Sequence, residues 1–210
     1  MAAPAVTEKL TRAGQREATR GKLIDATFAL LVEKGYAGTT TALVAERAGV
    51  SHGALFNHFA SREDLMVACI DEVFPRFMAE GSEQLLGLAT SPDRSLEAVV
   101  DALWHQFSGA TLKAMRELMT VARTNDAMSE SLARLDEVMQ PANVQLAGLL
   151  VPDLAGHPDL PALIGLTLAT IDGAVFAVQA FHNPARHADS KRMLVRALEL
   201  LHDEALRTQP

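Results

Sequence analysis

The residue types that do covalent or metal chemistry are present in this 210-residue chain, but they are dispersed. Its seven histidines, His52, His58, His105, His157, His182, His187 and His202, form no HExxH pair. His182 and His187 stand on either side of Asn183-Pro184, a spacing that by itself supports no metal site. There is no nucleophile elbow, no phosphate-binding loop and no dinucleotide fingerprint. The one cysteine, Cys69, permits neither an intrachain disulfide nor a multi-cysteine metal site. It reads as core packing, since a redox-sensing thiol needs exposure and a lowered pKa. The expectation is a protein without catalytic activity, metal or cofactor. What remains is recognition chemistry, concentrated between residues 39 and 62 in Thr39, Thr40, Ser51, His52, Asn57, His58 and Arg62. An amide such as Asn57 can pair with adenine in a bidentate way, and a histidine such as His52 can donate to guanine or to a phosphate.

These groups need elements to hold them. Apolar periodicity is helical almost throughout and no stretch alternates as a strand would, so an all-α fold is predicted. Leu23, Thr27 and Leu30 with Ile24, Phe28 and Leu31 make a double stripe ended by Gly35. Thr39 or Thr40 can cap a short helix from about Thr41 to Arg47. Ala48-Gly49-Val50 follows as a tight turn in which Gly49 supplies a positive φ, and Ser51 caps a second short helix reaching His58. Leu55 and Phe59 point inward, which leaves Gly53 and Asn57, flanked by Ala54 and Phe56, on the opposite face. Two short helices crossing at a tight turn and leaning on a third are a helix-turn-helix, which offers its second helix to the major groove of DNA. His58 has two readings, capping the first helix or touching DNA. Ser61 caps a longer helix, with Asp64 in its first turn.

The charge pattern is compatible with that partner. The net charge of −7 is carried by residues 66–210, with 11 Lys/Arg against 19 Asp/Glu, whereas residues 1–65 hold 8 against 7. Lys9, Arg12, Arg16, Arg20 and Lys22 make residues 1–18 and the start of the first helix a basic arm. An ordinary solvated tail would look the same. The start, MAAPAVTEKL, is unlike a secretory signal, so a cytoplasmic protein is expected.

The segment from Arg20 to Leu65 resembles the DNA-binding module of the tetracycline-repressor (TetR) family. The resemblance rests on Arg20-x-x-Leu23-Ile24-x-Ala26, Glu33-x-Gly35-Tyr36-x-x-Thr39-Thr40, Val44-Ala45-x-x-Ala48-Gly49-Val50-Ser51-x-Gly53-x-Leu55-Phe56-x-His58-Phe59 and Ser61-Arg62-x-x-Leu65. It implies that Thr39 and Thr40 meet the DNA backbone, that Ser51, His52, Gly53, Ala54, Phe56, Asn57 and His58 lie in or beside the groove, and that Arg62 contacts a phosphate. The family usually has tyrosine where Phe56 sits and lysine where Arg62 sits. Losing the phenol removes one phosphate hydrogen bond, while Arg62 keeps the charge. The resemblance further implies that the chain after residue 66 is a helical ligand-binding and dimerisation domain.

Within residues 66–210, Pro75 and Gly81 predict a kink or an early end to the helix that starts near Arg62. Helices follow from Ser91-Pro92-Asp93 to about Phe107, over Thr111–Arg123, and from Asn125-Asp126 until Pro141 interrupts. Residues 151–161 and 183–190 read as loops, and Lys191–Leu206 as an amphipathic helix. The twenty residues Ala162–Phe181 carry one charge, Asp172. A mid-helix aspartate costs ~2.5–3.5 kcal/mol in a bilayer, so a buried soluble helix is expected and no membrane. Ala162, Gly165, Ala169, Gly173 and Ala177 form a stripe of small residues on this helix that predicts close packing across a two-fold axis, with Leu194, Leu198 and Leu201 of the last helix taking part. A homodimer would place two recognition helices ~34–36 Å apart on a palindrome. Trp104, Phe107, Met115, Met119 and Met128 are candidate ligand contacts, with His105, Gln106 and Arg123 as polar partners. For any single methionine, filling a core gap is the stronger reading, and His105, Gln106 and Arg123 could equally be solvated. The expected protein is an all-α, two-domain, homodimeric transcriptional regulator of repressor type. Its partners are a palindromic double-stranded DNA operator and a small apolar or amphipathic effector. The alternative is a helical small-molecule-binding protein, or an all-α enzyme, that retains an idle DNA module.

Overall fold

The computed structural model describes residues 11–91, 95–182 and 184–208. All of its regular structure among these residues is helical. α1 (Arg12–Gly38) is capped by Thr11, whose hydroxyl accepts from the Gly14 N–H, so the expected arm is already helical from Arg12. Residues 1–10 lie outside the described residues. The helix breaks where expected, at Gly35 with φ 71°. α2 (Thr41–Ala48) ends at Gly49 in the left-handed region with φ 69° and ψ 32°, as the turn demands. α3 (His52–Phe56) is shorter than the helix expected to reach His58: Asn57 is its C-cap, and its N–H is given to Ala54 and Leu55.

α4 (Arg62–Ala89) begins with a full capping box, Ser61 accepting from the Asp64 N–H and Asp64 accepting from the Ser61 N–H. It does not end at Pro75. Val73 and Phe74 beside the proline are buried, and Phe28 meets Phe74 edge-on at 6.2 Å, so packing outweighs the lost backbone hydrogen bond. Gly81 is not a break either. A Cβ there would lie 1.9 Å from Gln106 Nε2, so the glycine admits the Gln106 amide of α5 (Leu96–Ser108). That helix is capped by Ser95; the expected opening at Pro92-Asp93 falls outside the described residues.

α6 (Ala110–Ala122) follows Gly109, and α7 (Asp126–Leu150), capped by Asn125, continues through Pro141 rather than stopping there. A 3-10 turn (Pro152–Leu154) leads to α8 (Leu160–Phe181), and α9 (Pro184–Thr208) starts inside the expected 183–190 loop. Proline at the first helical position suits that start.

One apolar core joins Leu23 and Leu31 of α1, Val44 of α2 and Leu55 of α3 to Leu65 and Ile70 of α4, Leu118 of α6 and Met128 of α7. The boundary expected at residues 65/66 therefore falls inside a continuous helix, with core on both sides of it. A second core packs Val100, Trp104 and Phe107 of α5 on Ile171 and Val175 of α8 and Leu194 of α9. α8 is long and apolar enough to cross a membrane by composition. Its one carboxylate, Asp172, instead accepts from Arg116 of α6 at 2.6 Å, and Gln179 accepts from the same guanidinium at 3.1 Å.

Candidate nucleic-acid interface

α3 is held from within by Leu55, with no solvent exposure, and by Phe59 just beyond it, and it presents His52, Gly53, Phe56 and Asn57 outward. Ser51 caps it by accepting from the Ala54 N–H at 3.1 Å. Ala54 and His58 lie partly buried at the edges of this face. His52 is oriented twice. Its Nε2 lies 3.0 Å from Thr41 Oγ1, and its ring meets the Phe56 ring edge-on at 5.0 Å. Thr41 was not among the expected site residues; it sits at the first helical position of α2, where only the crossing of the two helices brings it to His52. Phe56, 44% exposed, supports this imidazole where a phenol hydroxyl is missing. A Cβ added at Gly53 would meet nothing within 4 Å, so that position is open to a close approach from outside.

Two expected backbone-binding residues are placed otherwise. Thr39 is fully buried and its hydroxyl donates to the Gly35 carbonyl at 2.8 Å, so its side chain does not face outward; Thr40 is exposed and caps α2 through the Leu43 N–H. Arg62 points inward as well. Its Nε donates to the Thr39 carbonyl at 2.7 Å, its Nη2 to the Tyr36 carbonyl, and the guanidinium lies over the Tyr36 ring at 4.0 Å from the centroid. The first turn of α4 already holds Glu63 and Asp64, and the Asp64 N–H belongs to Ser61. Arg62 here is a clamp between α4 and the α1–α2 junction. The same junction is tied to α6, since Glu117 accepts from the Tyr36 N–H and its carboxylate lies where a Cβ at Gly35 would be, 2.6 Å away. On the outer side Arg47 grips Glu33 with two hydrogen bonds of 2.6 Å; this pairing holds the Glu33 carboxyl below its usual range.

A match to the family described as bacterial regulatory proteins, tetR family, covers residues 23–69, the segment just built up. An uncharacterized HTH-type transcriptional regulator of Mycobacterium tuberculosis (strain ATCC 25618 / H37Rv) is 30% identical over 191 residues, covering 90% of this chain and 96% of that one. The chain belongs to the tetR family. This tetR-family chain is thus a DNA-binding transcriptional regulator with a helix-turn-helix formed by α2 and α3. The regulator BetI of Paraburkholderia phymatum is 30% identical over 132 residues, 61% of this chain and 65% of that one. Among solved structures, a TetR transcription regulator from Haloarcula marismortui superposes with a TM-score of 0.66 at 19% identity, over 86% of this chain and 96% of that one. The multidrug binding protein EbrR complexed with imidazole gives 0.62 at 23%, over 90% and 96%. Both likenesses show the tetR fold.

The residues expected to form a ligand pocket are not gathered in one place. Trp104 and Phe107 are buried in the α5–α8–α9 core, Met115 and Met128 in the core shared with the DNA-binding helices, and Met119 is 51% exposed. His105 and Arg123 are exposed, and Gln106 packs on Gly81. An apolar cavity lies elsewhere, with about 800 Å³ of empty space counting its open mouth. Its walls include Leu85 of α4, Leu103 of α5, Leu146 and Leu150 of α7, and Leu163 and Leu168 of α8. Three polar side chains reach it, Asn143, Thr167 and His202.

The expected interface residues divide in the same way. Ala162, Gly165, Ala169 and Gly173 are exposed and Ala177 half-buried, alongside the exposed Leu166 and Phe176. Leu201 is also exposed. Leu194, however, is buried in its own chain's core and Leu198 lines the cavity, so neither faces outward.

Proposed function

We propose that this tetR-family regulator is a homodimeric repressor that binds a palindromic operator through α3 and is released by a small molecule in its C-terminal cavity. The outer face of α3 carries the reading: an exposed surface on a helix whose inner side is fully packed, with Asn57 as the base-reading amide and His52 aligned for a guanine or a phosphate. Ser51, Gly53, Ala54, Phe56 and His58 would line the same groove, with Thr40 at the backbone. One five-residue helix touches few bases, so two copies are needed for a specific site. The outward face of α8, with its small-residue stripe and the exposed Leu166 and Phe176, supports a two-fold packing that supplies the second copy. The cavity supports an effector, as does the solved structure of EbrR with proflavin, a structural neighbour at a TM-score of 0.59. The protein would act in the cytoplasm, without catalysis, cofactor or membrane.

The test is a selection of genome fragments with the purified full chain at two salt concentrations. Recovery of one palindromic motif whose affinity falls steeply with salt is expected. Recovery of unselected DNA only would overturn the reading.

A further inference from the structure

Resting on the ligand-responsive reading, we propose that the cavity between α4, α5, α7, α8 and α9 selects an uncharged aliphatic ligand bearing one hydrogen-bonding head group. The wall chemistry decides this. Apart from Asn143, Thr167 and His202, every described residue lining the cavity is leucine, isoleucine, valine or alanine. No phenylalanine, tyrosine or tryptophan is among the described lining residues, so a flat polycyclic ligand finds no large ring face on which to stack. No aspartate, glutamate, lysine or arginine is among them either. An ionised head group of either sign would leave water without a permanent counter-charge, which is the costly way to bury it.

The polar groups fit a single neutral head. Thr167 spends its hydroxyl proton on the Leu163 carbonyl at 2.7 Å and keeps only an acceptor. Asn143 is partly buried and its amide makes no hydrogen bond to the described residues, so it offers both a donor and an acceptor to a hydroxyl or carbonyl. His202, half-buried at the α9 edge of the cavity with Nδ1 3.5 Å from Asp203, is the one ionisable lining group. The ligand class is therefore that of long-chain alcohols, ketones or esters, and not aromatic cations or fatty-acid anions.

The experiment is calorimetric titration of the full chain at pH 8 with 1-decanol, decanoate, decyltrimethylammonium and proflavin, the ionic amphiphiles kept below micelle formation. Decanol is expected to bind, with decanoate and decyltrimethylammonium about tenfold or more weaker and proflavin absent. Ala147→Phe, which fills the cavity from α7, should abolish decanol binding. Asn143→Leu, which keeps the cavity open, should weaken it about fivefold. Both variants are checked for an unchanged helical spectrum and cooperative unfolding. Equal or tighter binding of either ion, or of proflavin, overturns the ligand class and leaves the cavity as an effector site. Decanol binding untouched by both substitutions places the ligand elsewhere and overturns the proposal. No binding of any probe, in a protein that still binds DNA, overturns the proposal together with the cavity's effector role.

Discussion

Replacing Arg62 separates two uses of one guanidinium. In the folded chain it spends Nε on the Thr39 carbonyl at 2.7 Å and Nη2 on the Tyr36 carbonyl, and it covers the Tyr36 ring. A hydrogen bond from a charged donor contributes ~1.5–3 kcal/mol, and a cation over a ring ~0.5–1 kcal/mol at an exposed site. Because Arg62 is only partly buried, the low ends apply to its two hydrogen bonds and its ring contact, and Arg62→Ala is expected to destabilise the chain by about 3.5 kcal/mol. Arg62→Lys keeps the charge but cannot span both carbonyls with a planar fork, so it should lose about 1–2 kcal/mol. Denaturant unfolding at one fixed protein concentration gives both numbers, and titrating a DNA fragment over a range of salt gives the second readout. A phosphate contact makes the opposite forecast. Lysine would then serve as well as arginine, and Arg62→Ala would leave stability within about 0.5 kcal/mol while lowering the salt slope by ~0.9 per protomer. Finding that pattern would refute the clamp.

Asn57→Ala should weaken binding to the selected operator by ~1–3 kcal/mol and relax one base position, leaving non-specific DNA binding unchanged; a uniform loss across sequences would remove the base-reading role. The Cys69 thiol, fully buried and pushed up to about 12 by burial and then by Glu72 and Asp25, should react with maleimide at pH 8 only as fast as the chain opens, and rapid native labelling would contradict it. The raised pKa also means that its contribution to stability is complete below the unfolded thiol value near 9 and is lost as pH climbs towards 12. Gly35→Ala must adopt φ 71° and displace the Glu117 carboxylate from the Tyr36 N–H, a loss of about 2 kcal/mol or more in thermal unfolding; a neutral variant would show that neither constraint holds. Ala169→Glu, placed on the exposed stripe of α8, should turn a dimer into monomers in sedimentation, whereas an unchanged dimer would put the interface elsewhere.

The DNA-binding unit was legible because its constraints are local. A threonine cap, a left-handed glycine, a serine cap and a capping box sit within 25 residues, each fixing the next, and Leu55 and Phe59 fall inward by helical spacing alone. The apolar cavity was not legible for the converse reason. Its leucines come from five helices whose residues are separated by tens of positions, and nothing in a leucine distinguishes a wall from a core. The methionines and aromatic residues drew notice as residue types, yet Met115 and Met128 went to one core, Trp104 and Phe107 to another, and Met119 to the surface. Prolines misled in the same direction. Pro75 was read as a kink or an early end, Pro141 as an interruption and Pro184 as part of a loop; helices continue through the first two because tertiary packing outweighs a single missing N–H, and α9 starts on the third because the first helical N–H has no intrahelical partner to lose.

The contacts that make two functions into one molecule are the least visible in sequence. Arg116 and Glu117 are neighbours on α6 with opposite charge, an ordinary solvated pair by appearance. In the fold, Arg116 holds Asp172 and Gln179 of α8, and Glu117 holds the backbone of Tyr36 in the DNA-binding unit. Tyr36 in turn receives Arg62 of α4. The helix bearing the outward apolar face is thus joined to the helix-turn-helix through two consecutive residues of α6.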